Sequence, residues 1–271
     1  MATIFRVFVA LSLISLVLGH GRLIDPASRN SAWRYGFGTP RQDTDNELNC
    51  GGFNVQWSTN KGKCGVCGDA HHLKDPKYTH PGAYATKTIT KTYREGQQIE
   101  VIIDVTSNHQ GHFTFRVGEI GTPPITQQKL KYVLRQPNGA TKWKINSQGN
   151  DVFKIKLVLP RGLTCDHCVM QWWWKVGNNW GCDGPGNCGM GKGPQETFVN
   201  CADIRITKSD GKCTHATSNT TSASYTEASE AYEAYEAYEA YNTETYRASS
   251  TNAPNRWLQS HTPLQRERSN G

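Results

Sequence analysis

The chain has 271 residues, a formal net charge of +7 and 36% hydrophobic residues. That length suffices for one large all-β domain with a tail, or for two small domains. The basic residues are scattered rather than clustered, which excludes a nucleic-acid-binding surface as the expected role and leaves solubility as the main use of the charge.

Near the N-terminus, Arg6 precedes an apolar run over residues 7–18 broken only by Ser12 and Ser15. This is the layout of a secretory signal peptide, and the run is too short for a membrane span. Small side chains are needed just before the cut, and Gly19, with Val17 two positions earlier, places it between Gly19 and His20. The expected mature protein is secreted and extracellular, has no membrane partner, and starts on a histidine. An N-terminal histidine offers two nitrogens, its α-amine and ring Nδ1, that can close a chelate ring on one metal ion. All nine cysteines (50, 64, 67, 165, 168, 182, 188, 201 and 213) follow the cut, so an oxidising compartment favours pairing, with at least one left over. Cys64-x-x-Cys67 and Cys165-x-x-Cys168 lie too far apart for a zinc ribbon and read as disulfide cysteines; their connectivity stays open.

From residue 20 to about 82 the chain is dense in Gly, Pro, Asn, Asp and Cys, and long disulfide-held loops are expected there. Strand signals follow. Residues 86–93 and 98–106, with Arg94-Glu95-Gly96 between them, suggest a hairpin. Period-two patterns at 112–117 and 152–159 align Phe113, Phe115 and Val117 on one face, and Phe153, Ile155, Leu157 and Leu159 on another. The Pro137-Asn138-Gly139 turn separates short candidates at 131–134 and 141–145, and strands at 169–176 and 198–206 bring the total to about eight. With no long amphipathic helix, the expected fold is an all-β, antiparallel β-sandwich of the immunoglobulin or fibronectin III kind over residues 20–208.

Residues 209–271 read as a disordered tail: a Ser/Thr/Ala-rich stretch leads into Glu-Ala-Tyr repeated four times over residues 230–241, with no apolar face to bury. The tail holds an N-glycosylation sequon at Asn219-Thr220-Thr221 and an isolated Trp257-Leu258 pair.

A metal at His20 needs a second ligand. Most histidines have ordinary explanations, but His109 and His112 sit in Thr106-Ser107-Asn108-His109-Gln110-Gly111-His112, between two strand signals, where a loop projects from one end of the sandwich.

Here the motifs resemble a family. His20-Gly21, Asp25-Pro26-Ala27-Ser28-Arg29, Trp33-Arg34-Tyr35-Gly36-Phe37, Asn49-Cys50-Gly51-Gly52 and Lys63-Cys64-Gly65-Val66-Cys67-Gly68-Asp69 come first, in that order. Asn108-His109-Gln110-Gly111, the tryptophans at 172–174 and Thr197-Phe198-Val199-Asn200-Cys201-Ala202-Asp203-Ile204 follow. Together they resemble the lytic polysaccharide monooxygenases, specifically auxiliary activity family 15, over about residues 20–206.

The resemblance implies one copper ion in a histidine brace: the His20 amine and Nδ1 with Nε2 of His109, His112 being the runner-up. Three nitrogen donors in planar geometry suit copper and leave positions open for an oxygen species. The amine must be neutral to bind, so affinity should fall in acid. Phe198 stands at the axial position, where it shapes and dries the site; Ser107 replaces a small alanine, and Val117 stands where relatives often carry a cysteine. The implied reaction uses an external reductant and hydrogen peroxide or oxygen to hydroxylate C1 or C4 of a sugar, which breaks the glycosidic bond without paired carboxylates. The expected partner of this monomer is an insoluble polysaccharide, chitin first and cellulose second, with Trp33, Tyr35 and Phe37 as candidates to touch sugar faces or, equally, to pack the loop. A non-catalytic carbohydrate-binding protein is the rival of a different class.

Overall fold

A computed structural model describes residues 19–209. Residues 1–18 and 210–271, with Cys213, Asn219, the Glu-Ala-Tyr repeats and Trp257, lie outside the described residues.

Eleven strands are present among them. One sheet has the order β1 (His20–Asp25), β3 (Gln98–Ser107), β7 (Asp151–Val158), all antiparallel. The larger sheet runs β2 (Lys91–Arg94), β11 (Thr197–Thr207), β8 (Cys165–Lys175), β4 (His112–Glu119), β5 (Tyr132–Val133), with β6 (Trp143–Lys144) also on the β4 edge. A separate hairpin pairs β9 (Trp180–Cys182) with β10 (Cys188–Met190).

The two sheets bury one core. In β7, Phe153, Ile155 and Leu157 are buried between exposed Lys154, Lys156 and Val158, as period-two alternation requires. The run of three tryptophans is resolved by the same rule: Trp172 and Trp174 are fully buried and Trp173 points the other way. The Phe113 ring meets Trp172 at 5.4 Å and Trp174 at 5.8 Å from the larger sheet, and Phe153 at 5.8 Å across the sandwich. Each such side chain contributes about 1.5–3 kcal/mol by leaving water.

The expected sandwich is present, with three departures. The segments flanking Arg94-Glu95-Gly96 do not form a hairpin: β2 and β3 belong to different sheets. The turn is an arch, with Tyr93 and Ile99 both buried in the shared core, the Glu95 N–H donating to Thr207 at 2.9 Å and the Gly96 N–H to Pro160 at 3.1 Å. Second, β2 runs parallel to β11, so the architecture is not wholly antiparallel. Third, β1 arises in a stretch read as loop, and β9–β10 was not expected at all.

Four disulfides join Cys50 to Cys64, Cys67 to Cys201, Cys165 to Cys168 and Cys182 to Cys188. The two C-x-x-C segments thus behave differently: one closes on itself and the other ties its loop at two places. Buried ion pairs hold the loops as well, with Arg22 bonded to Asp45 at 2.9 Å and to Asp104 at 2.7 Å. No helix among the described residues is long and apolar enough to cross a membrane.

Candidate metal centre

The start of β1 is held on three sides. His20 pairs with Ser107 of β3, the Gly21 N–H donates to the Asn46 carbonyl at 2.9 Å, and the Leu23 N–H donates to Asn200 Oδ1 of β11 at 2.9 Å. These bonds fix the backbone nitrogen of His20 at one end of the sandwich.

His109 reaches the same place from the loop between β3 and β4. Asn108 anchors that loop: its Nδ2 donates to the Gly149 carbonyl at 2.7 Å, and its Oδ1 accepts the Gln110 N–H at 2.7 Å. Gln110 has a left-handed φ of 56°, and the Trp174 indole N–H donates to its carbonyl at 2.7 Å. Gly111 follows at φ 86°, and a Cβ there would meet the Lys175 carbonyl at 2.0 Å, so only glycine fits. The Asn-His-Gln-Gly motif is therefore a device that presents one imidazole. The His109 backbone carbonyl accepts the Gly177 N–H at 2.9 Å, and Asn178 Nδ2 lies 2.9 Å from His109 Nδ1.

His109 is buried, and its Nε2 has no hydrogen-bond partner among the described residues. A buried imidazole nitrogen without a partner costs free energy unless a ligand binds it. Burial first, and the nearby His20 second, lower the His109 pKa, which favours the neutral ring that a metal requires. His20 Nε2 lies 3.5 Å from Glu47 Oε1, a contact that leaves Nδ1 available. Among the described residues no three His, Cys, Asp or Glu side chains cluster, so two imidazoles need a further donor of another kind. An α-amine, which cleavage before His20 would release, would be such a donor, and an all-nitrogen set suits copper.

Gly19 still precedes His20 in the full chain, and its position maps the site. A Cβ built on Gly19 would lie 3.1 Å from Phe198 Cε2 and 3.2 Å from His109 Nδ1. Phe198 is fully buried, its ring 5.1 Å from that of Trp174. Beside it stands Glu196, which the sequence did not single out. It is buried, accepts a bond from Asn49 Nδ2 at 3.0 Å and another from the Gly19 N–H, and burial raises its pKa. A carboxylate two residues before a buried aromatic at a strand start was the signal available.

His112 belongs elsewhere. It faces Lys142, Lys144 and Lys175, and burial first, then those charges, push its pKa down to about 4. Trp33, Tyr35 and Phe37 are each partly buried: Trp33 lies under the Arg34 and Arg41 guanidinium groups, 4.4 and 5.3 Å from the ring centre, and the Tyr35 hydroxyl is buried. By contrast Trp180 is 70% exposed and Met190, directly across the β9–β10 hairpin, is 59% exposed. The hairpin follows Asn178 by two residues and is closed by Cys182–Cys188.

A β-sandwich with this end defines the class, and comparison with known proteins agrees. The family described as "Lytic polysaccharide mono-oxygenase, cellulose-degrading" matches residues 20–204. The chain belongs to the lytic polysaccharide monooxygenases, copper-dependent oxidoreductases that cleave polysaccharides oxidatively. Within them it is of the auxiliary activity family 15 type. It is 38% identical to the family 15 enzyme from Thermobia domestica solved in the Cu(I) state, with a TM-score of 0.67, covering 69% of this chain and 98% of that one. Other structures match at lower similarity, two of them as follows. A chitin binding domain from Burkholderia pseudomallei is 14% identical (TM-score 0.38; 70% of this chain, 100% of that one). A cellulose-active monooxygenase in complex with copper is 16% identical (TM-score 0.39; 70% and 100%). No curated protein sequence matches the chain significantly.

Proposed function

We propose that the secreted, mature protein begins at His20, binds one copper ion through the His20 amine and Nδ1 and through His109 Nε2, and oxidises crystalline chitin. Cellulose is the second substrate. The observation that carries this reading is the buried His109 imidazole beside Gly19, the residue before His20, with its Nε2 left without a partner among the described residues.

Copper, reduced by an external donor and supplied with hydrogen peroxide or oxygen, provides the oxidising chemistry that inserts a hydroxyl at C1 or C4 of the sugar. The protein does the rest. Asn108, Gln110 and Gly111 hold His109 in place, and Asn46 and Asn200 hold the first strand. Phe198, fully buried beside Gly19, would keep water from its side of the site. Glu196, with its pKa raised by burial, can keep or release a proton next to the centre. Trp180 and Met190 give an exposed apolar pair beside the loop that holds His109, suited to the faces of sugar rings. The preference for chitin rests on Met190, whose flexible thioether can pack against acetyl methyl groups that cellulose lacks.

The test is to sequence the N-terminus of secreted protein, load it with copper, and incubate it with chitin or cellulose and ascorbate. Oxidised oligosaccharides in the mass spectrum, more from chitin than from cellulose and lost in His109→Ala, are expected. No oxidised product from either polymer would overturn the proposal.

A further inference from the structure

We propose that the outer face of the larger sheet carries a second saccharide site, separate from the metal centre, that takes a soluble oligosaccharide bearing a carboxylate. The alternation that buries Trp172 and Trp174 sends Gln171 and Trp173 to the opposite face of β8, and the neighbouring strand β4 presents Thr114 beside Trp173 and Arg116 beside Gln171. Over these residues lies a cleft of about 630 Å³, walled on one side by the loop that holds Lys63 and His71 and on the other by Gln127. That volume falls within the range of small-ligand sites.

The cleft is a built feature rather than a gap between mobile loops. Its first wall is tied by Cys50–Cys64 and Cys67–Cys201. Gln171 Nε2 donates to the Val66 carbonyl at 2.7 Å, so the sheet itself grips that wall. The Gln171 and Gln127 side-chain amides also pair, at 3.0 Å, which grips the other. Trp173 remains only partly covered between them.

The lining chemistry selects the ligand. A tryptophan face with planar amides beside it matches the C–H faces and hydroxyl pairs of a sugar ring. The charges are of one sign: Lys63 and Arg116 line the cleft, and no aspartate or glutamate lines it. Within the described residues one bond of the Arg116 guanidinium is accounted for, from Nη1 to the Leu130 carbonyl at 3.3 Å, leaving donors for a carboxylate. A neutral crystalline polymer neither needs these cations nor fits a cleft on the flank of the sheet. An aldonic acid, the hydrated product of oxidation at C1, meets both demands; that identification of the source rests on the proposed function, whereas carboxylate recognition does not.

The experiment is a titration of copper-free mature protein, followed by calorimetry and by nuclear magnetic resonance of the tryptophan indole groups. The probes are cellobionate, the aldonate of chitobiose, a glucuronate-containing disaccharide, and neutral cellobiose and chitobiose. We expect the acidic sugars to bind about tenfold or more tighter than the neutral ones, with the Trp173 indole shifting. Arg116→Gln and Lys63→Gln should each lower that affinity several-fold while the fold, by circular dichroism, is retained; His109→Ala should leave it unchanged. Tightest binding by an aldonate assigns the site to reaction product, and tightest binding by the glucuronate sugar assigns it to an acidic glycan. Equal binding of acidic and neutral sugars, shifts confined to residues around His109, or no binding at millimolar concentration would overturn the proposal. Because copper is absent throughout, this outcome is independent of whether the enzyme oxidises chitin.

Discussion

The side-chain amide of Asn178 lies 2.9 Å from Nδ1 of His109, on the far side of the ring from the nitrogen left without a partner. For Nε2 to bind copper, Nδ1 must carry the proton, and the amide oxygen rather than its nitrogen must receive it. A half-turn of the amide makes that exchange without moving anything else. Asn178→Ala should therefore weaken copper binding about 10- to 100-fold, the usual loss when the group orienting a ligand histidine is removed. Asn178→Asp, which restores an acceptor, should recover most of it. Isothermal titration with Cu(II) reads the affinity, and the electron paramagnetic resonance spectrum reads the change in ligand orientation. An alanine variant with unaltered affinity and spectrum would deny Asn178 this role.

The aromatic residues divide into those that can meet a polymer and those that cannot. Trp180 stands exposed on a hairpin stiffened by Cys182–Cys188, whereas Trp33 is packed under Arg34 and Arg41. Trp180→Ala should weaken binding to solid chitin by about 1–2 kcal/mol, roughly 5- to 30-fold, with no change in the copper spectrum or in thermal stability. Trp33→Ala should do the reverse, lowering the melting temperature and leaving chitin binding close to normal. Depletion assays and thermal melts on both variants separate the two roles.

How much of this was legible in the sequence depends on which physical rule each segment obeys. Strands β4 and β7 were visible because one face of each is apolar and the period is two; β3, β8 and β11, buried on both faces over much of their length, showed instead as short apolar or aromatic runs. Strand β1 was hidden because Arg22 occupies a buried position, tolerated there only by Asp45 and Asp104, which no local pattern reveals. The arch at Arg94-Glu95-Gly96 was misread because its turn residues suit a hairpin equally well; the partners of Glu95 and Gly96 lie more than 60 residues away, at Thr207 and Pro160. At the candidate site, His109 was found from its motif, since a glycine with no room for a Cβ and an asparagine anchor leave traces in sequence. Glu196 left only its place two residues before Phe198 at a strand start, and Trp180, in a glycine-rich stretch without periodicity, left none.

Arg29 and Asp203 join the first loop to β11. The guanidinium grips the carboxylate with two bonds, at 2.6 and 2.7 Å, and His167 Nε2 adds a third contact at 2.7 Å. Burial alone would raise the Asp203 pKa, but the bonds from Arg29 and His167 outweigh it and hold the group below its ordinary value of 3.8. A depressed folded pKa stabilises above the unfolded value, and that stability is lost as the pH falls below 3.8 through the folded value. Arg29→Met leaves a buried carboxylate without its main partner and should cost about 3–5 kcal/mol at neutral pH. The deficit should shrink in acid, as Asp203 takes up a proton. Urea unfolding at pH 7 and at pH 3 measures both values, and an equal deficit at the two would show that lost packing, rather than the ion pair, is responsible.

In the proposed reading, Gly19 occupies the place where cleavage would complete the metal centre. Its Cα lies close enough to His109 and Phe198 that a single added carbon would come within 3.2 Å of both rings, and its N–H donates to Glu196. While Gly19 is attached, the His20 nitrogen is an amide, whose lone pair is delocalised into the carbonyl and cannot serve as a ligand. The peptide also fills the space between His109, Phe198 and Glu196. Two effects, loss of a donor and occlusion, thus act in the same direction. Protein made to retain Gly19 should bind copper at least about 100-fold more weakly than protein starting at His20, and should lack the raised melting temperature that tight binding gives by mass action. Both forms keep every side chain discussed above, so the fold should be the same by circular dichroism. Equal copper affinity in the two forms would mean that the amine is not a ligand and that His109 binds with side chains alone.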